Sequence, residues 1–113
     1  KIITIETPGG NKVTLDDDAK SIKLEDMNKN TVTLDDSGIK LDTKKDVMIK
    51  ATGKITLDGT GGVVVKSGGG DVKISGLNVE AVAQIGATVK GNASAEISAA
   101  GQTTVKGAMV MIN

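Results

Sequence analysis

Adjacent carboxylates are the residues of this chain best suited to chemistry: Asp16, Asp17 and Asp18, then Glu25 with Asp26, then Asp35 with Asp36. Paired carboxylates can serve glycoside hydrolysis as acid and base or nucleophile, and they can bind Ca²⁺ through oxygen ligands. Two of the three groups close copies of one phrase, "TLDD" at 14–17 and at 33–36. They therefore recur at strand ends, amid lysines, where solvated corners are the expected reading. "GGGDVKISG" faintly resembles Ca²⁺-binding glycine-rich nonapeptides, but it occurs once and lacks their tandem repetition. Lys44, Lys45, Lys50 and Lys54 would suit an anionic partner. They alternate with Asp42, Asp46 and Asp58, so an ion-paired solvated face is expected there. Thr103 and Thr104 make no repeated threonine ladder of the kind ice binding needs.

The rest of the composition narrows the chemistry further. The 113 residues suit one domain, and they contain no His and no Cys. The commonest catalytic base, the commonest transition-metal ligand and all thiolate chemistry are therefore missing. Fourteen basic and fourteen acidic residues cancel, so net charge gives no reason to expect nucleic acid or an anionic membrane. No apolar run is long enough to span a bilayer as a helix, and no signal peptide is visible. Lys1 in first position makes a piece of a longer protein the expectation. Aromatic residues are absent while Gly numbers 15, so the interior must be narrow and built from Val, Ile, Leu, Ala, Met and Thr. A carbohydrate-active β-helix enzyme would need aromatic platforms along a groove, and this chain has none. We expect no enzyme and no cofactor.

The elements that position these residues are strands. Apolar and polar residues alternate at Val13/Leu15, Ile22/Leu24, Val32/Leu34, Ile39/Leu41, Val47/Ile49, Ile55/Leu57, Val63/Val65 and Val72/Ile74. No segment has a helical period, and the regularity argues against composition-driven disorder. "TPGGN" (7–11) reads as a hairpin turn, and "MNKN" (27–30) separates two further strands in the same way. Residues 1–37 are predicted to form a small antiparallel meander.

From Gly38 the spacing locks to eight. Leu41, Ile49, Leu57 and Val65 share one register with Ala81, Val89, Ile97, Val105 and Asn113. Only position 73 breaks the series, where "SGGGD" (67–71) adds a residue that the short step to Leu77 removes, as at a bulge. Two residues after each marker stands a small one: Ala51, Gly59, Ser67, Ala83, Gly91, Ala99 and Gly107, with Thr43 the exception. Eight residues make one short strand plus a corner, and stacked strands of this kind form a prism with a thin core. Identical surroundings every eight residues fit three identical chains winding about one axis. The fold class predicted is all-β: an intertwined homotrimeric triple-stranded β-helix, or β-prism, over 38–113, preceded by the meander. Leu41, Ile49, Leu57, Val65, Ala81, Val89, Ile97 and Val105 would line the axis. At one strand spacing per octad the rod would be roughly 45 Å long.

Charge thins along this rod: residues 1–60 hold ten Lys and eleven acidic residues, and residues 61–113 hold four and three. The final "VKGAMVMIN" has a single charged side chain. Ala108, Met109, Val110, Met111, Ile112 and Asn113 are the candidate end-on docking face, because methionine adapts to a partner's shape. A simple last core layer is the competing reading.

The apolar–x–Gly octads of "VKGNASAEISAAGQTTVKGAMVMIN" resemble the C-terminal β-helix of central spike proteins of contractile injection machines. These include phage baseplate tail spikes and the VgrG-type spikes of type VI secretion and related extracellular systems. "TPGGNKVTLDD" and "GIKLDTKKDVMIKATGKITLDG" are similar to the neck that joins an OB-fold domain to that helix. The resemblance implies a homotrimeric structural spike that sheath contraction drives through a target envelope, with transient membrane contact. It also implies a blunt end capped by a PAAR-repeat tip protein, and tube and hub connections through domains upstream. Assembly in the bacterial cytoplasm or the phage virion and delivery outward follow from the same likeness. Without His the chain has no counterpart of the iron-holding tip of some phage spikes. The stalk of a trimeric tail fibre or adhesin is the alternative.

Overall fold

The computed structural model describes residues 1–113. The chain is all-β, with no helix, and hence none long and apolar enough to cross a membrane. Two units divide it, Lys1–Val63 and Val64–Asn113.

In the first unit five five-residue strands follow one another: β1 (Ile2–Glu6), β2 (Lys12–Asp16), β3 (Ser21–Glu25), β4 (Thr31–Asp35) and β5 (Gly38–Asp42). They pair antiparallel in chain order, β1-β2-β3-β4-β5, which is a pure meander. The sequence predicted this arrangement for residues 1–37. The sheet takes in one strand more, because the two-residue step Asp36–Ser37 turns the chain straight back and lays Ile39 and Leu41 opposite Leu34 and Val32.

Each hairpin has a local chemical cause. Thr7–Gly10 is a β-turn closed by the Gly10 N–H donating to the Thr7 carbonyl at 3.0 Å, with Pro8 preset for the first corner. Gly10 ends it at φ 105°, a left-handed conformation that glycine reaches without a Cβ penalty. The turns at Asp17–Lys20 and Asp26–Lys29 repeat the plan with Lys20 (φ 51°) and Lys29 (φ 68°) in the last position. A non-glycine residue there costs about 1–2 kcal/mol. Side-chain caps offset that cost. Asp16 Oδ1 accepts the Ala19 N–H at 3.0 Å, and Asp35 Oδ1 accepts the Ser37 N–H at 2.9 Å. Asp26 collects four donors: its Oδ1 takes the N–H groups of Asn28 and Asn30, and its Oδ2 takes their side-chain amides.

The second unit, Val64–Asn113, differs in kind. It contains no strand and no backbone–backbone hydrogen bond. Every residue in it is exposed. Between Thr43 and Val63 the one backbone–backbone bond is Gly62 N–H to Gly59 carbonyl, at 3.0 Å. The alternating pairs that read as strands from Val47 onward thus find no ladder partner within one chain.

The Asn30 N–H donated to Asp26, reinforced by its other donors, holds the Asp26 carboxyl below the usual carboxylate range. A carboxyl lowered by folding adds stability above its unfolded pKa and loses it as pH falls through the folded value. Asp26→Ala is therefore expected to lower the thermal midpoint at neutral pH. The gap between variant and wild type should close progressively below the ordinary carboxylate pKa. A gap that stays constant from pH 7 into acid would show that the turn draws nothing from the ionised carboxylate.

Candidate functional site

Three of the carboxylates that first suggested chemistry are occupied in turns. Asp16, Asp26 and Asp35 each cap a hairpin, and Glu25 pairs with Lys29 at 3.5 Å and Lys23 at 3.9 Å. No three metal-ligating side chains converge anywhere in the chain. An open groove at one end of the sheet is lined by Leu15, Asp16, Asp17, Lys20, Ile22 and Asp35 among others; two of its three carboxylates, Asp16 and Asp35, are engaged as turn caps. The ion pairs expected among Lys44, Lys45, Lys50, Lys54 and their neighbouring aspartates do not form; all the ion pairs lie within residues 1–29. Those lysines lie outside any strand, Lys44 and Lys45 in a bend, with nothing to hold a partner near them.

What the sheet does build is a surface. Its register places Ile3, Leu15, Ile22, Leu34 and Ile39 in one cross-strand row. Ile5, Val13, Leu24, Val32 and Leu41 make a second, parallel row on the same face. Directly opposed residues of an antiparallel pair project from one side, so ten aliphatic side chains cover one face of the sheet. The other face carries Thr4, Thr14, Lys23, Thr33 and Lys40 down its middle. No residue of the sheet is buried. Val13, Val32 and Leu34 on that face are half-buried among their neighbours, while Ile39 on the edge is 78% exposed. A contiguous apolar patch of this extent marks an interaction surface. Alternation in the sequence identified most of these residues singly. Their gathering into two rows needed the turn geometry that fixes register.

At the end of the sheet where Glu6, Lys12, Glu25 and Asp42 lie, the turns are tied together. Asn11 Oδ1 accepts the Met27 N–H at 3.1 Å, and the Met27 thioether lies over Gly9, where an added Cβ would come within 3.1 Å of the sulfur. The Thr43 hydroxyl donates to Asn30 Oδ1, and Thr43 Oγ1 in turn accepts the Lys45 N–H. Thr43 was the one marker-plus-two position lacking a small residue, and its hydroxyl is what this contact uses. No sequence signal beyond the turn-forming "MNKN" announced it.

The predicted axial residues are all exposed in the single chain: Leu41 in β5, and Ile49, Leu57, Val65, Ala81, Val89, Ile97 and Val105 outside any strand. Val89 is 87% exposed. The six terminal residues Ala108, Met109, Val110, Met111, Ile112 and Asn113 are exposed as well, with Met111 at 85%. Two of the corners between markers are too tight for a side chain. A Cβ at Gly59 would overlap the Gly62 carbonyl oxygen, and one at Gly91 would overlap the Ser94 carbonyl oxygen. The chain folds back on itself there closely enough to exclude a side chain. At Gly101 an added Cβ meets nothing.

No protein-family model matches this sequence, and no curated protein matches it either.

The corner geometry gives a paired test. Gly91→Ala is expected to destabilise the folded protein by about 1–3 kcal/mol, the usual cost of forcing atoms into filled space. Gly101→Ala, at a corner with room, is expected to stay within about 0.5 kcal/mol of wild type. Equal denaturation midpoints for the two variants would contradict the corner assignment.

Proposed function

We propose that this chain is the shaft of a homotrimeric spike of a contractile injection machine, in type VI secretion, a phage tail or a related extracellular system. The observation that carries the reading is the pairing of two unmet needs in one chain. The meander offers an uncovered face of ten aliphatic side chains, and residues 64–113 offer repeating strand-forming sequence without a single backbone partner. Two further copies meet both needs at once. Three aliphatic faces turned toward a common axis cover one another, each half-exposed side chain contributing about 1 kcal/mol when it is buried. Strands of the octads then stack between strands of the other copies, which pairs the N–H and C=O groups that one chain leaves unmet.

The function that suits such a rod is mechanical. Interchain hydrogen bonds running along its length resist bending, and no active site is required of it. Ala108 to Asn113 of three chains form a blunt apolar platform. A sheet end presents unpaired backbone groups that can receive a further prism of strands, and the surrounding methionines adjust to its shape. A PAAR-type tip protein is the partner this platform would carry. The rod would touch the target membrane in passing and bind no nucleic acid. Assembly would take place in the bacterial cytoplasm or the virion, before outward delivery.

Two measurements test this. Sedimentation equilibrium at micromolar concentration should return three times the 11.5 kDa chain mass. A folded monomer would refute the assembly. Deletion of Val110 to Asn113 should weaken binding of a PAAR-type protein at least tenfold while leaving the trimer mass unchanged; undiminished affinity would refute the platform.

A further inference from the structure

The octads carry a difficulty that the rest of the chain is placed to solve. Shifting residues 81–113 by eight lays Ala81, Val89 and Ile97 on Val89, Ile97 and Val105, and lays Ala83, Gly91 and Ala99 on Gly91, Ala99 and Gly107. Like replaces like, so three chains slipped by one octad would lose little beyond one rung at the end. A register with so little penalty against it is weakly specified. Within residues 64–113 the interruption at 67–71 is the one break in the eight-residue spacing.

The meander has no such translation. Its strands begin at Ile2, Lys12, Ser21, Thr31 and Gly38, an uneven series. Each of its pairings is fixed within the chain by a turn with its own cap. The contact of Thr43 with Asn30 ties the chain to the sheet just where it leaves β5. All of its partners are neighbours in sequence, so loop closure costs it little and it can form early. Residues 64–113 have no backbone partner in their own chain and can gain one only after chains meet. The aliphatic face is where they would meet, because it is uncovered and continuous in sequence with the octads. Both features call for the same occupant, further copies of this chain.

We propose that the meander is the register-setting element of the trimer, a reading that rests on the trimeric shaft proposed above. Three meanders associate first through the rows containing Leu15, Leu24 and Val32. Each Thr43 latch then delivers Leu41 to the axis at a common height, and the octads zip from there toward Asn113 in the one register this allows.

Two experiments on the full-length chain test it. In refolding from denaturant with pulsed hydrogen exchange, peptides within residues 12–42 are expected to become protected at least tenfold faster than peptides within 81–113. A wild-type trimer in which 81–113 is protected first, or simultaneously, overturns this proposal alone; a monomeric wild type overturns the trimer with it. The second experiment compares Leu24→Asp with Ile97→Asp, read by mass and by the methyl resonances of Met109 and Met111. The wild type should give one resonance for each methionine. Ile97→Asp should remain trimeric, with 12–42 protected. Leu24→Asp should either lose the trimer or retain it with several resonances for each terminal methionine. A trimeric Leu24→Asp protein with single resonances, or loss of the trimer by Ile97→Asp alone, overturns the proposal.

Discussion

A strand-forming peptide group needs a hydrogen-bond partner, and this chain supplies one from within itself over only part of its length. Through Asp42 the N–H and C=O groups between neighbouring strands are paired inside the chain by a meander without crossovers, open at its β1 and β5 edges. Beyond Thr43 almost none are. The same alternation of apolar and polar residues runs through both regions, so the contrast does not come from strand propensity. It comes from the turns. Where Asp, Asn, Pro or a left-handed residue closes a hairpin within two to five residues, the strand meets its predecessor. Beyond Thr43 small residues such as Gly59, Gly91 and Ala99 stand in place of such hairpin turns, and no segment there pairs its backbone in a ladder.

Side chains follow the same division. The meander brings its aliphatic residues into two rows, yet a single sheet has no second layer, and a layer needs one to bury its apolar face. Aromatic residues could have shielded more of such a face, and the chain has none. The octads keep their aliphatic markers on a constant spacing, which is useful only if the surroundings repeat at the same interval. In the proposed trimer one axis answers both conditions, and a narrow axis accounts for the missing aromatics. The carboxylates are drawn into this scheme as hinges of the turns. Asp26 shows it most clearly, since its two oxygens receive two backbone and two side-chain donors from Asn28 and Asn30.

The all-β character and two of the four hairpin turns were legible because they depend on near neighbours. Alternation gave β2 to β5, and "TPGGN" and "MNKN" gave two of the hairpins. Three things were not legible. The fifth strand was assigned to the octads, because Leu41 fits the eight-residue register as well as it fits the sheet. Its membership was decided by the tight turn at Asp36–Ser37. The Asn11–Met27 and Asn30–Thr43 contacts join residues 13 to 16 positions apart, and no local rule anticipates them. The ion pairs expected around Lys44 to Lys54 rested on alternating charge alone, which brings charges near one another in sequence without giving them a surface that holds them together.

The sequence by itself determined that this chain is built of strands, where its first hairpins turn, that its second half repeats every eight residues, and that histidine and thiol chemistry are closed to it. These follow from residue types and spacing, which act over a few positions. Only the tertiary structure decided that the aliphatic residues of five strands share a single face, that Gly59 and Gly91 stand where no side chain fits, and that Asp16, Asp26 and Asp35 are held as turn caps. Those outcomes depend on register and on how closely the backbone approaches itself, and both are properties of the folded path.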